Sequence, residues 1–404
     1  MKILQNIRVL DLSRVISGPF CSRMLGDLGA EVIKVESPNG DLLRSAQPAK
    51  GEFSAAFTQF NSGKKSLCVD YRTKRGVELI KQLATVCDVF LENFRAGLLV
   101  DMGLGYDDIK SVNPGIVYCS ISGFGQEGPN AGRPAYTDII QALSGLDYAA
   151  QKMQGNETDR PPGYPASVAD TCASLNATIS ILAALYHRTI TGQGQYIDVS
   201  MLDSLIASND STLQRTIFSD GALDEPSTIF RPPFELKDGF VAASVGLNFE
   251  KTAMAMGRPE LIIDERFKTV VLQRENMAEY TDIVREWALH KTVDQVSAIF
   301  DEYDIPYGKV NSSLEVVNSQ IVQDREMKVD MTLPDGVSTS VINTPFNFSS
   351  GRSRPQGPPP YLGEHSDMVL RDILGLSDES RRLLIDEGIV ISNTRSGLRH
   401  DYRH

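Results

Sequence analysis

The chain has 404 residues, enough for two domains or for one large domain with an insertion. With 41% hydrophobic and 23% charged residues and no polar low-complexity tract, it reads as a globular protein and not as a disordered or fibrous one. A net charge of −12 opposes nucleic acid as a partner, because phosphate binding needs a basic field.

In chain order, IRVLDLS predicts a strand, GPFCSRMLGDLGA a helix and EVIKVES a second strand, which together make a βαβ unit. KKSLCVDY, TKRGVELIKQLATVC, DVFLENF, GYDDIKSVNP and IVYCSISGF continue the alternation. Strands as apolar as Ile33 to Val35 and Val89 to Leu91 predict a parallel sheet covered on both faces. Helices are expected over Thr137 to Ala150 and Ala169 to Thr191, followed by a strand at QYIDVSM. The stretch from Asp220 to Asp238, with Arg231-Pro232-Pro233, has the composition of a connection, and GRSRPQGPPPYLG at 351–363 is too rich in proline for helix or central strand. Between them lie GFVAASVG, charged helical segments carrying Trp287, and DIPYGKV; Ser366 to Leu384 returns to helical spacing.

The five cysteines, at 21, 68, 87, 119 and 172, never form CxxC, and the histidines at 187, 290, 365, 400 and 404 form no HExxH, so neither structural disulfides nor a metal is expected. No apolar run approaches the roughly 18 residues of a membrane span, and MKILQNIRVLDLS lacks a cleavage site; the expected location is the cytoplasm, with no membrane partner. Between the first strand and its helix, DLSRVISGPF holds Gly18 alone where a dinucleotide site needs GxGxxG. The P-loop GxxxxGK[ST] and the GxSxG elbow are also missing.

One carboxylate stands out. Pro161, Pro162 and Pro165 favour an extended approach, and the helical run that follows places Asp170 near a helix N-terminus, where an anion is favoured. Such an Asp is either a first-turn cap or a working anion. Taken in order, RVISGPFCSRMLGDLGAEVIKVESP, FNSGKKSLCVD, DVFLENFRAG, MGLGYDDI, SISGFGQEGP, RPAYTDIIQALSGL, the Asp170 segment, GQGQYIDVSML and PPPYLGEHSD closely resemble the class III (CaiB/BaiF-type) CoA-transferases. That family includes formyl-CoA transferase, carnitine CoA-transferase and alpha-methylacyl-CoA racemase.

The resemblance implies CoA transfer from an acyl-CoA, such as succinyl-CoA or another small acyl-CoA, to a small carboxylic acid. The family's nucleophile falls on Asp170, which would form an aspartyl anhydride and then an aspartyl-CoA thioester without a permanently bound cofactor or metal. The resemblance further places Tyr136, Ile16 (where formyl-CoA transferase has glutamine), Met201 and the lid candidate Gly246 near the substrate. For CoA itself it suggests Arg44, Lys64, Lys65 and Arg95 at the phosphates, with Asn93 and Phe94 at the adenine. Alternatives are a racemase of the same family and a catalytically silent CoA-binding subunit. PAYTDIIQ has Tyr136 and Thr137 where the racemase branch carries histidine, and Asp170 is present, so transfer is favoured. The implied fold is α/β: a Rossmann-like large domain with a parallel sheet and a smaller α+β domain, in an interlocked homodimer. The expected boundaries are a large domain over 1–202, a linker over 203–235, a small domain over 236–330, and a linker and C-terminal part over 331–404 that rejoins the large domain.

Overall fold

The computed structural model describes residues 3–154, 160–164, 166–209, 212–223 and 232–392. Pro165, Arg231, the linker stretch 224–231, His400 and His404 lie outside the described residues.

The chain divides into two compact units, the first made of Met1–Tyr148, Pro161–Leu213 and Ile321–His404, the second of Ala149–Arg160 and Gln214–Gln320. In the first unit six strands, β1 (Arg8–Asp11), β2 (Glu31–Glu36), β3 (Lys65–Val69), β4 (Val89–Glu92), β5 (Val117–Ser122) and β6 (Gln195–Ser200), lie in the order β3-β2-β1-β4-β5-β6. All five of their pairings are parallel. This is the doubly wound order, in which the chain reverses direction beside β1 and leaves a crevice at the carboxyl ends of the strands. A short C-terminal strand, Val390–Ile391, pairs antiparallel with the outer edge of β3.

The alternation of side chains along each strand explains the two cores. Leu10, Ile33, Phe90 and Tyr118 point to one face, where α3 (Lys74–Ala84) contributes Leu79, Ile80 and Leu83. Their neighbours Val9, Val32, Val89 and Val117 point to the other. There α1 (Ser17–Asp27) and the 24-residue α6 (Val168–Thr191) cover the sheet. The shorter helices of this unit include α2 (Ala55–Asn61), α4 (Tyr106–Val112), α5 (Thr137–Leu143) and α7 (Met201–Ala207).

By length and composition α6 would be apolar enough to cross a membrane, contrary to the absence of such a run expected from the sequence. Its inner face of Ala169, Ala173, Ala177 and Ile181 is nevertheless sealed in the sheet's core. Small residues on that face let α6 lie close to α1. The helix ends at Gly192, which takes the left-handed conformation (φ 73°) that a C-terminal cap requires. The single helix expected over 137–150 is interrupted by another left-handed glycine, Gly145 at φ 84°. Residues 203–207, expected as the start of a linker, are helical within α7, which buries Met201 and Leu205 in the core.

The second unit has a three-stranded antiparallel sheet of β7 (Phe234–Leu236), β8 (Gly239–Ala243) and β9 (Tyr307–Lys309), with β8 in the middle. Helices α8 (Phe249–Ala255), α9 (Met277–Leu289) and α10 (Val293–Glu302) supply Phe249, Tyr280, Val284, Val296 and Phe300 to its own core. Trp287 stacks on Phe300 with ring centroids 6.0 Å apart.

Candidate active site

Asp170 occupies the first turn of α6. Because α6 runs back against the parallel strand it precedes, that turn lies at the carboxyl edge of the sheet, beside the segment leading from β1 into α1. The half-buried carboxylate faces the N–H and hydroxyl of Ser17 and the hydroxyl of Thr137, which favour its charged form, and the Thr137 hydroxyl also lies 3.4 Å from Gln141 Oε1. Ser17 and Thr137 are the first residues of α1 and α5, so three helix N-termini converge on one anion. Burial pushes Asp170 up to about 6, while the Ser17 and Thr137 donors pull in the opposite direction. A carboxylate with that value is roughly 90% ionised at pH 7.

The approach of α1 to β1 requires a glycine at 18. A Cβ there would stand 2.1 Å from Cβ of Ser13. Ser17 is fixed on two further sides: its hydroxyl accepts from Nδ2 of Asn93 (3.1 Å), and its carbonyl accepts from the Ser174 hydroxyl of α6 (2.7 Å).

Beneath the loop lies a sealed set of charges. Lys64 Nζ reaches Asp11 Oδ2 at 3.0 Å, Lys34 Nζ reaches Asp41 Oδ2 at 2.9 Å, and Arg44 Nη2 reaches Glu36 Oε1 at 2.7 Å. Three cations thus balance three carboxylates, which is the condition under which buried charge is tolerated. Burial would raise Asp11, yet Lys64 and Lys34 hold it below its ordinary value. Burial would lower Lys34, yet Asp41, Asp11 and Glu36 hold it above its own.

These contacts correct several expectations from the sequence. Lys64, expected at the CoA phosphates, is buried, and its three donors go to Asp11, the Pro19 carbonyl and Oδ1 of Asn61. Arg44 likewise spends its fork on Glu36 and the Pro360 carbonyl and lies 3.9 Å over the Phe57 ring. Lys64 has no donor left for a phosphate, and Arg44 has three of its five N–H donors committed to the protein's own acceptors. Asn93, expected at the adenine, turns its amide to the backbone of Arg14, donating to the carbonyl and accepting from the N–H, each at 2.8 Å. Phe94 is buried beneath the Arg14 guanidinium, which stands 5.2 Å from its ring centroid. Met201 is a core residue.

The other expected residues fall in three places. Lys65, at the amino end of β3, is paired with Glu31. Ile16 and Tyr136 immediately precede Ser17 and Thr137, so both flank Asp170's donors, and Tyr136 is exposed. Gly246 belongs to the second unit, where a Cβ would meet Met277 at 2.9 Å. Arg95 is exposed past the end of β4, lining a small open recess with Glu92, Tyr106, Tyr118, Ser120 and Tyr196. In that recess burial pushes Glu92 up to about 7, against the Ser120 hydroxyl and Phe94 N–H that it accepts from.

Sequence reasoning missed Ser17, Thr137 and Arg14. Ser17 and Thr137 each open a helix after a β strand or turn, and that position was the available signal.

A strand-edge carboxylate at converging helix N-termini, with cations nearby and no dinucleotide fingerprint, suits acyl chemistry on an anionic substrate. The model of CoA-transferase family III matches residues 4–366. The chain belongs to CoA-transferase family III.

This family III CoA-transferase is 34% identical over 399 residues to succinyl-CoA:glutarate CoA-transferase of Mus musculus, with 96% of this chain and 91% of that protein covered. It is 32% identical over 400 residues to succinyl-CoA–D-citramalate CoA-transferase of Chloroflexus aurantiacus, covering 96% and 98%. A crystal structure of a CAIB/BAIF family protein from Brucella suis superposes with a TM-score of 0.79 at 32% identity, covering 92% of this chain and 99% of that one. The Rossmann-like α/β architecture expected from the sequence is therefore the family's own, and the chain is a CoA-transferase, a class of enzyme that uses CoA thioesters.

Proposed function

We propose that the enzyme moves CoA from succinyl-CoA to a small organic acid, with Asp170 as the covalent nucleophile. The observation that carries this reading is the Asp170 carboxylate itself, ionised at neutral pH, open on one side and held by Ser17 and Thr137. One carboxylate oxygen attacks the thioester carbonyl of the donor; the C–S bond breaks, giving a mixed anhydride and a CoA thiolate. The thiolate then attacks the aspartyl carbonyl and releases succinate, leaving CoA on Asp170 as a thioester. The acceptor carboxylate attacks that thioester to form a second anhydride and free the thiolate again. Attack of the thiolate on the acceptor's acyl carbon yields the new acyl-CoA and restores Asp170.

Every step passes through a tetrahedral oxyanion at or beside the Asp170 carboxyl, and the Ser17 N–H, already aimed there, is placed to stabilise it. Thr137, which does not titrate near neutral pH, supports transfer over racemisation, where a second acid/base group must flank the α-carbon. The choice of succinyl-CoA as donor follows the names of the relatives, and their acceptors glutarate, mesaconate and D-citramalate suggest a dicarboxylate. Arg14 and Arg95, past the carboxyl ends of β1 and β4, are the cations assigned here to the CoA phosphates.

A second copy of the chain would cover the outer face of α6, where Leu175, Ile179 (64% exposed), Tyr186 (70% exposed) and Ile190 form an apolar stripe. The family's interlocked dimer is the arrangement proposed.

The test is a panel of acyl-CoA donors and organic acids read by mass spectrometry with wild type, Asp170→Ala and Asp170→Asn. Transfer from succinyl-CoA by wild type alone supports the proposal. Full transfer by both variants overturns it.

A further inference from the structure

The loop that presents Ser17 to Asp170 has an anomaly in its backbone. Val15 has φ 67°, in the left-handed region. For a β-branched residue that conformation is a genuine outlier, because its Cβ crowds the backbone, and such a residue persists only where its surroundings over-determine it.

The surroundings here grip the loop from two sides. From the β4 end, the Asn93 amide bonds both the N–H and the carbonyl of Arg14 at 2.8 Å, and then the Ser17 hydroxyl at 3.1 Å. From the opposite side, both carboxylate oxygens of Asp41 accept from the Val15 N–H, at 3.3 and 3.2 Å. Asp41 is itself anchored by Lys34 at 2.9 Å, and the same ammonium donates to the Ser13 carbonyl at 2.9 Å. Residues 13, 14, 15 and 17 are therefore each held by a side chain that comes from outside the loop.

We propose that Asn93 and Asp41 are positioning residues for the transfer reaction: by holding Val15 left-handed they aim the Ser17 N–H and hydroxyl at Asp170. The inference rests on Asp170 being the nucleophile. It gives Asn93 a task different from the adenine contact that the sequence suggests, and it gives the buried Lys34–Asp41 pair a role beyond stability. A loop that relaxed to negative φ at residue 15 would let Ser17 swing away, and a displacement of about 1 Å at such a donor costs on the order of a hundredfold in rate.

The experiment is a double-mutant cycle on the full-length enzyme with Asn93→Ala and Val15→Gly, measuring kcat and KM for the acyl-CoA donor. Glycine adopts φ near +67° without a steric cost, so it removes the strain that Asn93 offsets. Asn93→Ala is expected to lower kcat about 10- to 100-fold with KM changed less than about threefold. Val15→Gly in that background should restore at least about tenfold of kcat. Strictly additive losses in the double variant would overturn the proposal, and so would an Asn93→Ala effect confined to KM, which would return Asn93 to the CoA pocket. Failure of the nucleophile assignment is separately visible, because Asp170→Ala would then remain active whatever the cycle shows.

Discussion

Replacing Asp170 by Asn is predicted to make the protein more stable while abolishing transfer, and the gain should depend on pH in a specific way. Burial raises the carboxyl from 3.8 to about 6 against the pull of Ser17 and Thr137. At about 1.4 kcal/mol per unit, ionising Asp170 in the fold costs up to about 3 kcal/mol. Its side chain is only half-buried, and solvent screening reduces this to about 1–2 kcal/mol. The folded-state value lies above the unfolded one, so the cost is absent below pH 3.8, grows as pH rises towards 6, and is complete above that. Asparagine keeps the shape and one acceptor oxygen but carries no charge at any pH. Thermal unfolding of both proteins between pH 4 and 8 should therefore show Tm curves that diverge up to about pH 6.5 and then run parallel, with the variant higher. A difference that does not change with pH, or a variant less stable at pH 7.5, would refute the electrostatic account of the site.

Ser17→Ala removes a donor that favours the charged form, so the acid limb of the pH–rate profile should move above the wild-type value of about 6, with kcat lowered about tenfold or more; an unmoved limb contradicts the assignment. Lys64→Met strands Asp11 in the core and is expected to destabilise the enzyme by about 3–5 kcal/mol in urea unfolding. If Lys64 held CoA instead, KM for the donor would rise with little change in stability. Ile179→Glu places a charge in the apolar stripe of α6 and should lower the share of the proposed dimer recovered after unfolding and refolding, read by sedimentation velocity; a variant that reassembles as fully as wild type argues against that face as the interface.

The sheet was legible in the sequence because its strands are short, apolar on both faces and separated by helices of the right period, as at Ile33–Val35 and Val89–Leu91. The small-residue face of α6 was harder to read. Ala169, Ala173 and Ala177 carry little hydrophobic signal, and the apolar residues at the same helical period, Leu175 and Ile179, turn out to face outward. Asp170 was found by its place before a long helix, but its partners were not, since Ser17 lies 153 positions away along the chain and only the fold brings it near. The basic residues were misjudged for one reason. Lys64 and Arg44 look like surface charge in sequence, and nothing local announces that Asp11 and Glu36, on strands paired side by side, will draw them inside. The Val15 anomaly has no sequence signature, because a β-branched residue is not expected at a left-handed position.

The measurement that bears most directly on the central claim is trapping of the intermediate. Wild-type enzyme is incubated with succinyl-CoA, quenched with hydroxylamine, digested and examined by mass spectrometry. A hydroxamate on the peptide containing Asp170, formed only when the acyl-CoA is present, is the predicted result. An unmodified Asp170 from enzyme that is turning over, or modification at another carboxylate, would contradict it.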